Sequence, residues 1–254
     1  MEDQFTAADK STCTKCESIF FDDSVFCKTC GSKRIEAILK EKTHDNNYKS
    51  NLKQLSVYSF LILILLSIAG ISDYSFAMDI FWTVFFAFID VGFAYSNGAT
   101  FSLVFPNKVL LKPLLSIIGI AIISGIFIHF AVGELNIILF GEDVTLLYSS
   151  DETAYPLLLS IISVAVFPAI FEELAFRGFL FNNISYLSGK KGAVIGSAFL
   201  FTLAHFSILS FFWLFPFGLL LGYFRSRYNT LIYGMIGHFT HNATALLIEY
   251  SLLE

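Results

Sequence analysis

The residues able to do chemistry in this chain are few and grouped. Glu172 and Glu173 are adjacent, with Arg177 close behind; His205 ends a Phe-Thr-Leu-Ala-His run, and His238, His241 and Asn242 complete the series. Glu173 and Arg177 stand at i,i+4, one turn apart on one helix face, so the guanidinium can neutralise and orient that carboxylate. Glu172 lies about 100° round the same helix and is left for another partner. A carboxylate and a neutral imidazole sharing a water can deprotonate it for attack on a carbonyl. A second His with an Asn carboxamide can donate to the oxygen that becomes negative. Together these make a hydrolytic set that needs no covalent nucleophile. A separate group, Cys13, Cys16, Cys27 and Cys30, forms two C-x-x-C knuckles that can close a tetrahedron around Zn²⁺. Four Cys ligands leave no open position, so such a zinc is structural.

The elements that must carry these residues follow from composition. Apolar residues make up 56% of 254 and charged residues 15%, against about 45–50% and about 25% in a soluble domain. That is more apolar surface than one core can bury, and it excludes a soluble enzyme, a disordered protein and a nucleic-acid binder. Nine of the sixteen Lys and Arg residues precede residue 54, which separates a polar head from an apolar body. Residues 1–35 are expected to form a zinc ribbon filled by Phe20, Phe21 and Phe26, residues 36–54 a polar linker, and residues 55–250 a membrane domain. Seven candidate spans read as 55–72, 76–96, 113–139, 156–187, 192–209, 211–225 and 230–250, with an eighth if the third divides near Gly133. The expected fold is an all-α polytopic bundle. No secretory leader is expected, because polar sequence precedes the first apolar run.

Charge sets the expected orientation. Lys108 and Lys112, Lys190 and Lys191, and Arg225 and Arg227 fall in alternate loops, while the opposite loops at 73–76, 140–155 and 207–211 carry no Lys or Arg. This is the positive-inside pattern, placing the N-terminus in the cytoplasm of a multi-pass plasma-membrane protein. A cytosolic head keeps its thiols reduced, favouring zinc over the alternative of two disulfides. Arg177 is the one basic residue left inside the membrane, where ionisable groups are costly and functional by default. The turn at 188–192 makes the fourth and fifth spans a hairpin, with Glu172 and His205 about 25 and 20 Å from it, nearly level. His238 lies only about 10–18 Å from the same end, so the seventh span must tilt or re-enter to reach them. Each feature has a plainer reading: a Glu–Arg staple, a packed core His, interhelical His and Asn contacts. Asp79, Asp90, His129, Glu134 and Glu249 read as boundary or snorkelling residues.

Glu172-Glu173-x-x-x-Arg177, Phe201-x-x-x-His205 and His238-x-x-x-Asn242 resemble, in order, the three motifs of the CPBP family of intramembrane glutamic endopeptidases, related to CAAX prenyl proteases and to bacteriocin-processing and immunity proteins. The resemblance covers roughly 55–250, with its motifs in 165–245. It implies a bundle of about eight spans with the site open to the cytosol. It also implies Glu172 and His205 on the water, His238 and Asn242 as oxyanion hole, and Glu173 with Arg177 in support. His241 is an addition to the pattern. The implied substrate is a peptide or protein met at the cytosolic membrane face, in contact with the bilayer and without nucleic acid. No cofactor is expected at the active site, and the ribbon is free to bind a protein partner. The rival readings are a metalloprotease using Glu172, His205 and His238 or His241 as ligands, a non-enzymatic immunity or scaffold protein, and a transporter.

Overall fold

The computed structural model describes residues 12–13, 15–20, 24–72, 75–141, 145–149 and 151–253. The chain divides into two compact units, Met1–Leu52 and Lys53–Glu254. Among the described residues all regular structure is helical apart from two isolated bridges, both in the first unit.

The first unit is built on two knuckles of the same design. The bridge Thr12–Ile19 brackets Cys13 and Cys16, and the bridge Phe26–Lys33 brackets Cys27 and Cys30. In each, the first Cys donates its N–H to a Ser carbonyl and accepts from the residue just before that Ser: Cys13 with Ser18 and Glu17, Cys27 with Ser32 and Gly31, all at 2.8 Å. The accepting turn forces a left-handed residue at equivalent places, Glu17 (φ 57) and Gly31 (φ 71). Gly adopts that conformation freely, whereas Glu17 carries a strain of about 1–2 kcal/mol. Phe20 is buried against Cys13 and Cys27, with the Arg34 guanidinium over its ring. Phe26, expected as filling, is exposed instead, because its bridge position turns it away from the sulfurs; Phe21 lies outside the described residues.

Helix α1 (Ile35–Ile71) is continuous through the stretch read as a linker and on through the first span. In the second unit follow α2 (Phe76–Ser96), capped by the Ser75 hydroxyl, and the short α3 (Ala99–Ser102). The alternative division of the third span near Gly133 does not occur. Helices α4 (Leu111–Phe127) and α5 (Gly133–Phe140) run on through a π-helical turn, π1 (Ile128–Val132). A second composite helix comprises α6 (Pro156–Ser160), π2 (Ile161–Val166), α7 (Phe167–Glu172) and π3 (Glu173–Leu180). It leads into α8 (Phe181–Leu203), which folds back at Gly189 (φ 78, ψ 173), a backbone that only glycine adopts cheaply. Then come α9 (Ile208–Tyr228) and α10 (Ile232–Leu253).

Among the described residues four helical stretches are long and apolar enough to cross a membrane: Lys42–Ile71, Phe76–Ser96, Leu111–Leu139 and Pro156–Leu203, the last containing the Gly189 reversal. Phe60, Phe88 and Phe212 project outward as lipid-facing surface does. Inside, small residues let helices approach: Ala198 of α8 meets Gly218 of α9, and Ala175, Ala193 and Ala198 are wholly buried.

The turn between α9 and α10 settles the depth of the last helix. Thr230 and Leu231 are buried, and both bond the Leu103 carbonyl, Thr230 through its hydroxyl at 2.7 Å and Leu231 through its N–H at 2.9 Å. Tyr233 adds a bond from the Leu110 N–H to its hydroxyl at 2.7 Å. The chain therefore starts α10 inside the bundle rather than at its surface. This removes the depth mismatch expected for His238.

Candidate active site

Glu173 and Arg177 fill the centre of the second unit with no exposure. They lie in π3 rather than in a regular α-helix, a distortion common at functional sites. Arg177 Nη1 donates to Glu173 Oε1 at 2.8 Å, its Nη2 reaches the Gly218 carbonyl at 3.4 Å, and its guanidinium lies 4.2 Å over the Phe201 ring. Glu173 Oε1 takes a second bond, from His238 Nδ1 at 3.2 Å. A carboxylate only accepts, so Nδ1 carries the proton. Gly234 of α10 makes room for this pair: a Cβ there would overlap Glu173 Oε2.

Glu172 is differently placed. Its Oε2 is buried without a hydrogen-bond partner and stands 4.0 Å from His238 Nε2, beyond direct bonding. His238 thus lies between the two carboxylates, one on each ring nitrogen. Asn242, one turn further along α10, donates an amide proton to the Val164 carbonyl at 2.7 Å. Val164 belongs to π2, where the wider turn disturbs the regular backbone ladder. One amide proton of Asn242 remains for another acceptor.

His205 departs from its expected setting. Helix α8 ends at Leu203, and His205 stands in the following turn, exposed, with Phe206 left-handed (φ 47). Its Nδ1 faces the Phe201 carbonyl at 2.8 Å. Because a carbonyl cannot donate, Nδ1 is protonated and Nε2 is the acceptor. Among the described residues no hydrogen bond or ion pair joins His205 to Glu172. Phe201 stands between the imidazoles instead, 4.9 Å from the His205 ring and 5.7 Å from that of His238. His241 is buried and stacked on Phe217 at 4.3 Å, with its Nδ1 unpartnered.

A cavity of about 450 Å³ is lined by Glu172, Asp79, Asp90 and Trp82 among others. By sequence alone Asp79 and Asp90 read as boundary residues. Asp90 is in fact 5% exposed and accepts from the Tyr58 hydroxyl at 2.8 Å, while Asp79 takes the Tyr148 hydroxyl. The signal for Asp90 was its carboxylate in the middle of an apolar span. Glu249 accepts the N–H groups of Leu146 and Leu147.

In the first unit all four cysteines are free thiols whose sulfurs lie within 4.8 Å of one another, with Cys13–Cys30 and Cys16–Cys27 at 3.6 Å. Zn–S bonds of about 2.3 Å in a tetrahedron place sulfurs about 3.8 Å apart, so the quartet fits a metal ion. Ser18 Oγ lies 2.9 Å from Cys16 Sγ and 3.1 Å from Cys27 Sγ; Ser32 Oγ repeats this at 2.9 Å from Cys13 and 3.1 Å from Cys30. The Ser18 hydroxyl, then the Cys30 N–H, holds the Cys27 thiol down to about 5, and the Ser32 hydroxyl lowers that of Cys13. Both are thereby prepared as thiolate ligands.

The helical bundle thus gathers two adjacent carboxylates, a buried guanidinium and the His238 imidazole, with His205 outside this set. Residues 154–244, which contain all of these groups, match the family model described as Type II CAAX prenyl endopeptidase Rce1-like. No curated protein and no solved structure matches the chain.

Proposed function

We propose that the chain is an intramembrane glutamic endopeptidase hydrolysing a peptide bond with a water activated by Glu172 and His205. The observation that carries this reading is Glu172: a buried, unpartnered carboxylate oxygen on a residue lining a cavity, beside a carboxylate whose Oε1 is fully engaged. Glu172 takes a proton from water and returns it to the leaving amine. His205, with its proton fixed on Nδ1, offers Nε2 to the same water. His238 and the second amide proton of Asn242 stabilise the oxyanion. To donate from Nε2 while Nδ1–H rests on Glu173, His238 must carry both protons. Arg177 and Glu173 act indirectly by fixing the His238 ring.

The alternating basic loops support a plasma-membrane orientation with the head in the cytosol. The sulfur geometry supports a structural Zn²⁺ there, and a cytosolic zinc ribbon is available to a protein partner. The substrate class is a peptide or protein in contact with the bilayer. The test compares the N- and C-terminal peptides of cells carrying wild type, Glu172→Ala or His205→Ala at equal expression. Termini produced by wild type and lost in both variants are expected. Unchanged termini in both would refute the reading.

A further inference from the structure

Helix α10 carries both His238 and Asn242, so whatever fixes its depth and rotation fixes the site. Its first turn is pinned by Thr230 and Leu231 on the Leu103 carbonyl. Towards its other end stands Glu249, a carboxylate for which the proposed chemistry has no use. At 100° per residue His238, Asn242 and Glu249 fall within about 40° of one another, on a single stripe of α10. Each of the three is engaged across the bundle: His238 on Glu173 at 3.2 Å, Asn242 on the Val164 carbonyl at 2.7 Å, and Glu249 on the N–H groups of Leu146 and Leu147.

Leu146 donates to both Glu249 oxygens, at 3.1 and 3.0 Å, and Leu147 to one of them at 3.4 Å. Bonds from N–H to an ionised carboxylate are about twice as strong as neutral ones. The segment they grip is itself anchored. Tyr148 donates its N–H to the Ser160 hydroxyl at 2.9 Å and its own hydroxyl to Asp79, and its ring stands edge-on to Phe76 at 5.0 Å. Ser149 donates its N–H to the Glu152 carboxylate at 2.8 Å. Residues 146–149 therefore give successive N–H groups to side chains of α10, of α6 and of their own turn.

Ser160 and Val164 stand one turn apart on the same composite helix. A closed circuit results: Asn242 to Val164, along the helix to Ser160, across Tyr148 to Leu146, and through Glu249 to α10 again. Its attachment points are about 10 Å apart along α10 and about 6 Å apart along the other helix. A helix held at one point can slide or turn about it. Held at two points on the same stripe, it can do neither without breaking a bond.

We propose that Glu249 is a positioning residue for the active site: through the 146–149 segment it holds α10 in register on π2, and so aims His238 and the remaining amide proton of Asn242 at the reacting oxygen. The proposal rests on the endopeptidase reading for what these groups do there. Displacements near 1 Å at a catalytic group cost about 100-fold in rate. Loss of a contact made only in the transition state lowers kcat and leaves KM unchanged.

The test follows the Asn242 carboxamide by nuclear magnetic resonance, in full-length protein carrying isotope-labelled asparagine in detergent micelles, with the signal assigned by its loss in Asn242→Ala. Glu249→Ala is expected to move that signal and to speed its exchange with water by about 10-fold or more. On a peptide spanning a cleavage site found by the comparison of cellular termini, the same variant should lower kcat by about 10–100-fold with KM held within about twofold. Glu249→Gln keeps one accepting oxygen and should recover most of both. Glu134→Ala, at an exposed carboxylate of α5, is the control and should change neither. Ser160→Ala releases the far end of the segment with Glu249 in place; it should move the same signal, and it keeps the test decisive where Glu249→Ala fails to fold. An unmoved Asn242 signal in whichever of these two variants folds, or a rise in KM with kcat intact, would overturn the proposal. The amide signal does not depend on hydrolysis. If it moves as expected while the wild type cleaves nothing, the endopeptidase reading falls and the hold of Glu249 on α10 stands.

Discussion

Glu172 and Glu173 are neighbours with opposite fates, and their difference predicts opposite mutational signatures. Glu173 and Arg177 are wholly buried and bonded to each other at 2.8 Å. Arg177→Leu leaves an uncompensated carboxylate in the core and is expected to cost about 3–5 kcal/mol, read as a loss of folded protein on detergent extraction and heating. Glu172→Gln keeps the shape and removes only the proton acceptor. It should leave the melting temperature near that of the wild type and lower cleavage by about 100-fold or more. A folded but fully active Glu172→Gln protein would end the proposed role. The Glu173–Arg177 pairing was legible in the sequence because both partners lie within one helical turn, where spacing alone fixes their contact. The Tyr58–Asp90 bond was not, since its two halves stand on different helices whose rotation no local pattern specifies. The same limit hid the Phe201 ring between His205 and His238: the run gives i,i+4, but not that the helix stops at Leu203.

At the scale of elements, α10 has to approach π3 closely enough for His238 to reach Glu173, and Gly234 is where that approach is tightest. Gly234→Ala puts a methyl group onto Glu173 Oε2, so the carboxylate or the helix must shift. Displacements near 1 Å at a catalytic group cost about 100-fold in rate. The expected outcome is a folded protein with cleavage reduced to that order, measured beside Gly92→Ala, where a Cβ meets nothing. Equal activity in the two variants would separate the Glu173–His238 contact from catalysis. The approach itself was only partly legible. Hydropathy and turn residues gave the helices and the Gly189 reversal, but not the burial of the Thr230–Leu231 turn. Counting residues from a loop assumes that the loop lies at the surface, and this one is pinned inside by the Leu103 carbonyl. The π-helical stretches left no readable signal either, because a single displaced hydrogen bond alters no hydrophobic period.

For the whole molecule, the two units place different demands on metal, and this separates the mechanisms. The head fits a metal ion through four sulfurs whose hydroxyl partners, Ser18 and Ser32, each serve one cysteine of either knuckle. Ser18→Ala together with Ser32→Ala is expected to weaken zinc retention by about 10–100-fold, measured by competition with a chromogenic chelator. Small domains of this size depend on such a site to stay folded, so full chelation should unfold the head. The membrane unit has a different dependence if Glu172 and His205 activate water without a metal. A chain lacking residues 1–35 should then cleave at the same rate before and after exhaustive chelation. Full-length protein should lose only what the head contributes through recruitment. Loss of cleavage in the truncated chain, restored by added Zn²⁺, would instead make Glu172, His205 and His238 or His241 metal ligands and overturn the glutamic mechanism. The truncated chain is the discriminating form, because in the full-length protein a chelator acts on the head and on any active-site metal at once.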